Sequence, residues 1–254
     1  VEFQRRPLRL FDDMGQLVTE YESRSFVGAL DVGTAVGNWG ELRLGLRRGT
    51  GSNSSTFANA PVTEGDFEEG LLSALFRIDS LDNVAFPTAG STGIFEWLGA
   101  WEWLGSDTEW QRVRAGFGYF HSFGATTIGA DADVTIATEG IVPPHRLQAR
   151  GGFLSISGLR QRELLGQHAV IAQLLAYHRV AGSPTGALGL PLYVGASIET
   201  GNAWQRREDI LQDMIVGGSV FVGTDTPLGP FYFGYGITDD GRDSLYLFLG
   251  QVQR

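Results

Sequence analysis

The amino-acid sequence predicts an all-β fold, a transmembrane antiparallel β-barrel with about twelve strands present in residues 1–254. Segment after segment alternates apolar and polar residues at every second position, and no stretch stays apolar long enough to cross a membrane as a helix. Charged residues make up 19% of the chain, below the roughly 25% of ordinary soluble domains, and 36 glycines are spread through strands and turns. Glycine within a strand permits curvature and close backbone approach, which a closed sheet needs.

The elements follow from that pattern. Strands are expected at 1–9 and 18–36, and the turn Gly37-Asn38 leads into a third at 39–49, where Leu42, Leu44 and Leu46 share one face and Glu41, Arg43 and Arg47 the other. A long polar connection at 50–66 precedes a strand at 67–79. The next, at 92–104, places Phe95, Trp97, Trp101 and Trp103 opposite Glu96 and Glu102. In 109–122, Val113, Ala115, Phe117 and Tyr119 oppose Arg112, Arg114, Gly116 and Gly118. Beyond the turn at Phe123-Gly124, the strand at 126–137 sets Ile128, Ala130, Ala132, Val134 and Ile136 against Asp131, Asp133 and the threonines. The longest loop, 138–166, is followed by strands at 167–179, 190–200, 214–224, 230–238 and 243–251. Within these, Phe231, Phe233 and Tyr235 alternate with Tyr232, Gly234 and Gly236. Thr226-Pro227-Leu228-Gly229 is a short turn, 201–213 a long one, and 180–189 is long where a short turn is due.

A soluble sandwich alternates in the same way, so girdle residues and loop lengths have to decide. Large aromatic rings with a polar edge suit a membrane boundary. Short turns on one rim with long loops on the other is the layout of outer-membrane barrels. In that reading the apolar face meets lipid and the polar face surrounds water or a plug.

Composition narrows the function classes. A formal charge of −10 and the absence of a basic stripe argue against nucleic-acid binding. There is no cysteine, hence no disulfide, and no lysine, all 19 basic residues being arginine. An outer-membrane protein must be exported, yet 1–10 reads as a strand containing arginines, so the natural product is expected to begin further upstream. His121, His145, His168 and His178 are scattered without a carboxylate at ligand spacing, and no metal or other cofactor is expected. Asp131 and Asp133 occupy alternate positions of one strand, which fits a hydrated lumen face better than a glycosidase pair.

Several strings in order carry a resemblance: Gly37-Asn38-Trp39-Gly40-Glu41-Leu42-Arg43-Leu44-Gly45, Asp82-Asn83-Val84-Ala85-Phe86-Pro87, Gly151-Gly152-Phe153-Leu154-Ser155-Ile156-Ser157-Gly158-Leu159-Arg160, Gly166-Gln167-His168, Leu192-Tyr193-Val194-Gly195, Ser197-Ile198-Glu199-Thr200-Gly201-Asn202-Ala203-Trp204, Asp225-Thr226-Pro227-Leu228-Gly229-Pro230 and Tyr246-Leu247-Phe248-Leu249-Gly250. Together they resemble the barrel of patatin-like phospholipase autotransporters (type Vd secretion), bacterial surface antigens within the superfamily of barrel-assembly and two-partner-secretion proteins. The resemblance covers essentially the whole chain. It implies the C-terminal part of a sixteen-stranded family barrel in the bacterial outer membrane, preceded by a polypeptide-transport-associated domain and a patatin-like passenger. It also implies a long loop, here 138–166, folded into the lumen.

The superfamily holds that loop by an arginine near its tip and an acid in a later acid-x-Gly strand. Carried over, Leu159-Arg160 supplies the arginine and Glu199-Thr200-Gly201 the acid, with Asp225 as further motif support. A guanidinium and a carboxylate docked bidentately fix direction as well as distance. Gln161 and Arg162 depart from the Gly-aromatic pair usual at this tip, and the alternative for Arg160 is a solvated loop arginine.

The patatin-type serine elbow Gly-x-Ser-x-Gly does not occur, since Ala89-Gly90-Ser91-Thr92-Gly93 is out of register, so no catalytic residue is expected here and lipase chemistry would belong to a passenger. The expected role is a translocator or anchor for that passenger. Its partners would be outer-membrane lipid, the barrel-assembly machinery during insertion, the protein's own passenger and a possible second copy in a homodimer. The alternatives are a purely structural anchor or dimerisation module and a soluble β-rich binding protein. A sheet lacking its first strands would expose pairing edges.

Overall fold

In the computed structural model the described residues are 2–11, 17–55, 65–180 and 190–250. Period-two alternation gives strand after strand: β1 (Glu2–Phe11), β2 (Leu17–Val36), β3 (Gly40–Ser55), β4 (Gly65–Asp79), β5 (Ala89–Ala100), β6 (Trp110–Phe123), β7 (Thr126–Gly140), β8 (Gln148–Arg150), β9 (Leu164–Gly166), β10 (His168–Arg179), β11 (Leu192–Trp204), β12 (Ile215–Thr226), β13 (Gly229–Thr238) and β14 (Asp243–Leu249). Twelve of them form one sheet in chain order, every pair antiparallel, while β8 and β9 form a ribbon of their own inside the β7–β10 connection.

The register sorts side chains onto two faces. Phe117, Ala132, Ala172, Thr200 and Val216 are successive partners across β6, β7, β10, β11 and β12. Tyr119, Ala130, Leu174 and Ile198 form the neighbouring outward row. Phe117 is 56% exposed, Leu174 57%, Ile198 54% and Phe233 47%, so these are not the residues of a sandwich core. The opposite face carries Arg112, Arg114, Asp131, Asp133, Gln173 and Glu199, in strict alternation with the outward apolar residues. From Ile128 to Ile136 the outward apolar run of β7 takes nine residues, the length that a tilted transmembrane strand needs, about 9–11 residues.

The connections also sort. One rim carries the tight hairpins at 37–39, 124–125 and 227–228 together with the 80–88 turn, and the other carries 101–109, 141–167, 205–214 and 239–242. The polar segment 50–66 is shorter as a loop than expected, because β3 runs to Ser55 and β4 starts at Gly65 in register with it. Likewise 201–204 continues β11. The four-aromatic strand at 92–104 is corrected: β5 ends at Ala100, and Trp101 and Trp103 belong to a 3-10 turn over Glu102–Leu104 that closes on Gly105. Trp101 folds back over Gly99, where an added Cβ would meet its ring at 2.4 Å, so Trp97, Trp101 and Trp103 still form one aromatic cluster at the long-loop rim. The connection at 180–189 lies almost wholly outside the described residues.

Among the described residues, β1 pairs with β2 alone and β14 with β13 alone, which leaves the ladder with two edges. The sheet nonetheless curls around a shared interior. The 141–167 segment touches β4, β7, β11 and β14 at once, and strands so far apart in the ladder can meet one segment only if the sheet wraps it.

Candidate functional site

The interior is built around the 141–167 segment. Pro143 and Pro144 have no N–H to place, and a 3-10 turn over Pro144–Arg146 starts on them. That turn delivers an imidazole and a guanidinium to Glu69 of β4. His145 Nε2 lies 2.6 Å from Glu69 Oε1, and Arg146 donates from Nη2 to Oε2 at 2.6 Å and from Nε to Oε1 at 3.1 Å. Phe67 stacks on the imidazole at 4.1 Å. Further along the segment, Arg150 joins Arg114 of β6 in sharing Asp133 of β7, Arg114 through Nε at 2.7 Å. Arg112 ties the same stem down by donating to the Arg146 carbonyl at 2.8 Å.

The tip enters the aromatic interior. Phe153 packs against Phe221, Tyr232 and Tyr246 at about 5.5 Å between ring centres. Leu154 at φ 57°, Ile156 at φ 70° and Arg162 at φ 61° are in left-handed conformations, which a β-branched residue such as isoleucine rarely adopts. Such strain persists where surrounding contacts over-determine the backbone. Those contacts are visible: Ser157 donates to Glu199 through N at 2.9 Å and Oγ at 3.1 Å, and Gln173 Nε2 donates to the Leu154 carbonyl at 3.1 Å. Gly158 N donates to Tyr246 Oη at 2.9 Å, and that hydroxyl donates to the Leu159 carbonyl at 2.6 Å.

The expected ion pair between Arg160 and Glu199 is therefore corrected. Glu199 is a loop-holding acid, 1% exposed, but its two carboxylate oxygens are taken by Ser157 and not by the Arg160 guanidinium. The left-handed Ile156 turns the N–H and hydroxyl of the next residue onto the acid three residues before the arginine arrives. Arg160 is exposed, and its main-chain N–H donates to Glu163 at 2.7 Å. Leu159 is fully buried with Ile156 and Ile171, Gly201 lies beneath Ile156, and Asp225 is half-buried at the far end of β12 opposite Pro230.

Sequence reasoning missed a different ion pair: Arg242, in the turn between β13 and β14, meets Glu163 at 2.8 Å. The Arg242 guanidinium also holds the Asp240 carboxyl well below the usual carboxylate range, with the Thr238 hydroxyl assisting, and Asp240 raises Arg242 in return. A lowered acid stabilises above its unfolded value and loses that contribution only as pH falls through its folded one. The Asp240–Arg242 contact is thus complete at neutral pH.

Two glycines show how closely the tip is seated. A Cβ on Gly236 would lie 2.7 Å from the Ser157 Cβ, and one on Gly217 would lie 2.5 Å from the Ser157 carbonyl. Gly236→Val is expected to lift the tip, raising the rate of limited proteolysis within 151–163 about tenfold or more, while outward-facing Gly28→Ala leaves it unchanged.

The interior is asymmetric. Toward β10–β14 it is filled by the tip and its aromatic partners. Toward β2–β4 it is lined by charge: Asp31 faces Arg47 at 3.8 Å, Glu41 pairs with Arg43 at 3.0 Å, and Arg77 is exposed. Two cavities of about 580 and 440 Å³ meet at Arg114, Asp131 and Asp133. The geometry offers a hydrated passage with a seated plug. Among the described residues there is no cluster of three His, Cys, Asp or Glu able to hold a metal.

An apolar exterior, a charged interior and an infolded loop define the class: a transmembrane antiparallel β-barrel. Its likeness is to BamA from Haemophilus ducreyi lacking POTRA domains 1–3, a crystal structure matched with a TM-score of 0.74 and 15% identity over 90% of this chain. The match spans 54% of that chain, about half its length, and at this identity it establishes the fold. No protein-family model and no curated protein matches the sequence.

Proposed function

We propose that this barrel is the membrane-embedded translocator, or anchor, of a bacterial outer-membrane protein that secretes or displays a patatin-like passenger. One observation carries the reading: the outward rows are apolar while the inward rows hold paired charges around a seated loop. Lipid has no hydrogen bonds to offer the backbone, and a curled antiparallel sheet satisfies its own. The charged half of the lumen gives an extended polypeptide polar walls along which to pass. Lipase chemistry is assigned to the passenger, since no serine elbow lies in this chain. Insertion by the barrel-assembly machinery and contact with outer-membrane lipid follow from the same reading.

A second reading, a structural anchor without transport, is favoured by the aromatic seal at the β10–β14 side. Planar-bilayer conductance separates the two. A translocator shows a low basal conductance that rises at least severalfold when 151–163 is replaced by a short Gly-Ser link; an anchor stays silent in both forms. The homodimer proposed with the anchor reading is tested by cross-linking in native membranes.

A further inference from the structure

Among the described connections, the 80–88 turn stands apart from the hairpins on the same rim. The hairpins at 37–39, 124–125 and 227–228 reverse in two or three residues, whereas this one carries nine and does not run outward. Its base continues the β4–β5 ladder, with Ser80 N donating to the Ser91 carbonyl at 2.9 Å and Asp82 N to the Ala89 carbonyl at 3.2 Å. Gly90, at φ +112°, bends the exit so sharply that a Cβ would lie 2.2 Å from the Ser80 carbonyl.

Between these points the turn is stapled to itself. Asp82 accepts from Thr88 N at 2.7 Å, from the Thr88 hydroxyl and from Ala89 N at 3.1 Å. Asn83 Oδ1 accepts from Ala85 N at 2.7 Å and Phe86 N at 2.9 Å. Ala85, Phe86 and Pro87 are thereby pushed into the barrel, where Phe86 is 1% exposed. Its ring stacks on Tyr193 at 4.1 Å, meets Tyr177 edge-on at 5.8 Å and lies 5.1 Å from Tyr232. The phenols of Tyr232 and Tyr177 donate to the carbonyls on either side of it, Ala85 (3.0 Å) and Pro87. Tyr232 is also the ring that Phe153 of the long loop packs on.

We propose that the 80–88 turn is a second closure of the lumen, entering from the short-hairpin rim and sealing against the same tyrosine that the long loop seals against from the other side. The turn supplies its own rigid staple, so the two plugs are separate parts meeting at Tyr232. Removing either one leaves the other in place, and full opening takes both. Transport then includes release of Phe86 from its tyrosine box as well as withdrawal of 151–163. This inference rests on the pore reading above.

The test compares four forms of the chain in planar bilayers: unaltered, 151–163 replaced by a short Gly-Ser link, 82–88 replaced by Asn-Gly, and both. The double replacement is expected to conduct about tenfold more than the loop replacement alone. If the loop replacement alone reaches the conductance of the double form, the second closure is wrong and the pore reading stands. If the double form is silent while retaining heat-modifiable gel mobility, the pore reading fails and this inference with it. A gentler pair, Tyr177→Phe with Tyr232→Phe, keeps both rings and removes only the hydroxyls. The chain has no cysteine, so a single Ala85→Cys reports on the turn. Its labelling by a water-soluble maleimide is expected to be slow and to accelerate about tenfold in the Phe pair; fast labelling in both backgrounds overturns the proposal.

Discussion

Ala132→Arg is expected to destabilise the barrel in lipid by about 2–4 kcal/mol, the cost of an arginine on the lipid face near the bilayer midplane. Ala132 belongs to the outward row running from Phe117 to Val216, with Phe117 and Ala172 as its cross-strand neighbours. An arginine there has neither water nor an acid within its register. Ala35→Arg provides the contrast. Ala35 is exposed on the inward face of β2 opposite Glu41, so the same side chain lands in the hydrated half of the lumen beside a carboxylate. Urea titration of the refolded protein in detergent or thin-lipid vesicles should separate the two by at least 2 kcal/mol. Equal effects would mean that the two faces see the same solvent.

Glu199→Ala has the second largest expected effect, and it falls on the loop rather than on the barrel. The substitution removes both acceptors of Ser157, whose main chain and side chain are wholly buried. Hydrogen bonds to a charged group contribute about 1.5–3 kcal/mol, and a buried N–H left alone costs a similar amount. Since about 1.4 kcal/mol is a factor of ten in an equilibrium, limited proteolysis at 151–163 should accelerate about tenfold to a hundredfold where it tracks the open population. Ser157→Ala retains the main-chain bond and should show the smaller part of the effect. Arg160→Ala is expected to move proteolysis far less than Glu199→Ala. The reverse order would restore the arginine as the principal tie.

What was legible in the sequence was whatever depends on period two. The outward runs of β3, β6, β7 and β13 were visible as alternation, and the register only adds which partner each residue meets. Strand ends were less legible, because Trp101 and Trp103 keep the alternation that β5 has already abandoned at a glycine-permitted bend. The site was legible by half. Glu199 could be singled out as an acid facing the long loop, but which donor reaches it depends on left-handed dihedrals at Leu154 and Ile156 that side-chain identity does not disclose. The Glu69–His145 contact joins residues 76 apart, and the Arg242–Glu163 pair joins residues 79 apart. Neither is marked by spacing. The string from Asp82 to Pro87 was legible only as part of the resemblance, and the signal that it enters the barrel is a lone phenylalanine between Asx-stapled backbone and proline.

The central claim is that neighbouring residues of one strand face different solvents, and β7 allows the most direct measurement. In a chain without native cysteine, single cysteines placed in turn at 129 through 134 can carry a spin label in lipid vesicles. The account predicts that labels at 130, 132 and 134 are relaxed by oxygen, which concentrates in acyl chains, while those at 129, 131 and 133 are shielded from it and respond to a water-soluble nickel chelate or to neither. An absence of alternation, or oxygen sensitivity at 131 and 133 with nickel sensitivity at 130 and 132, would contradict it.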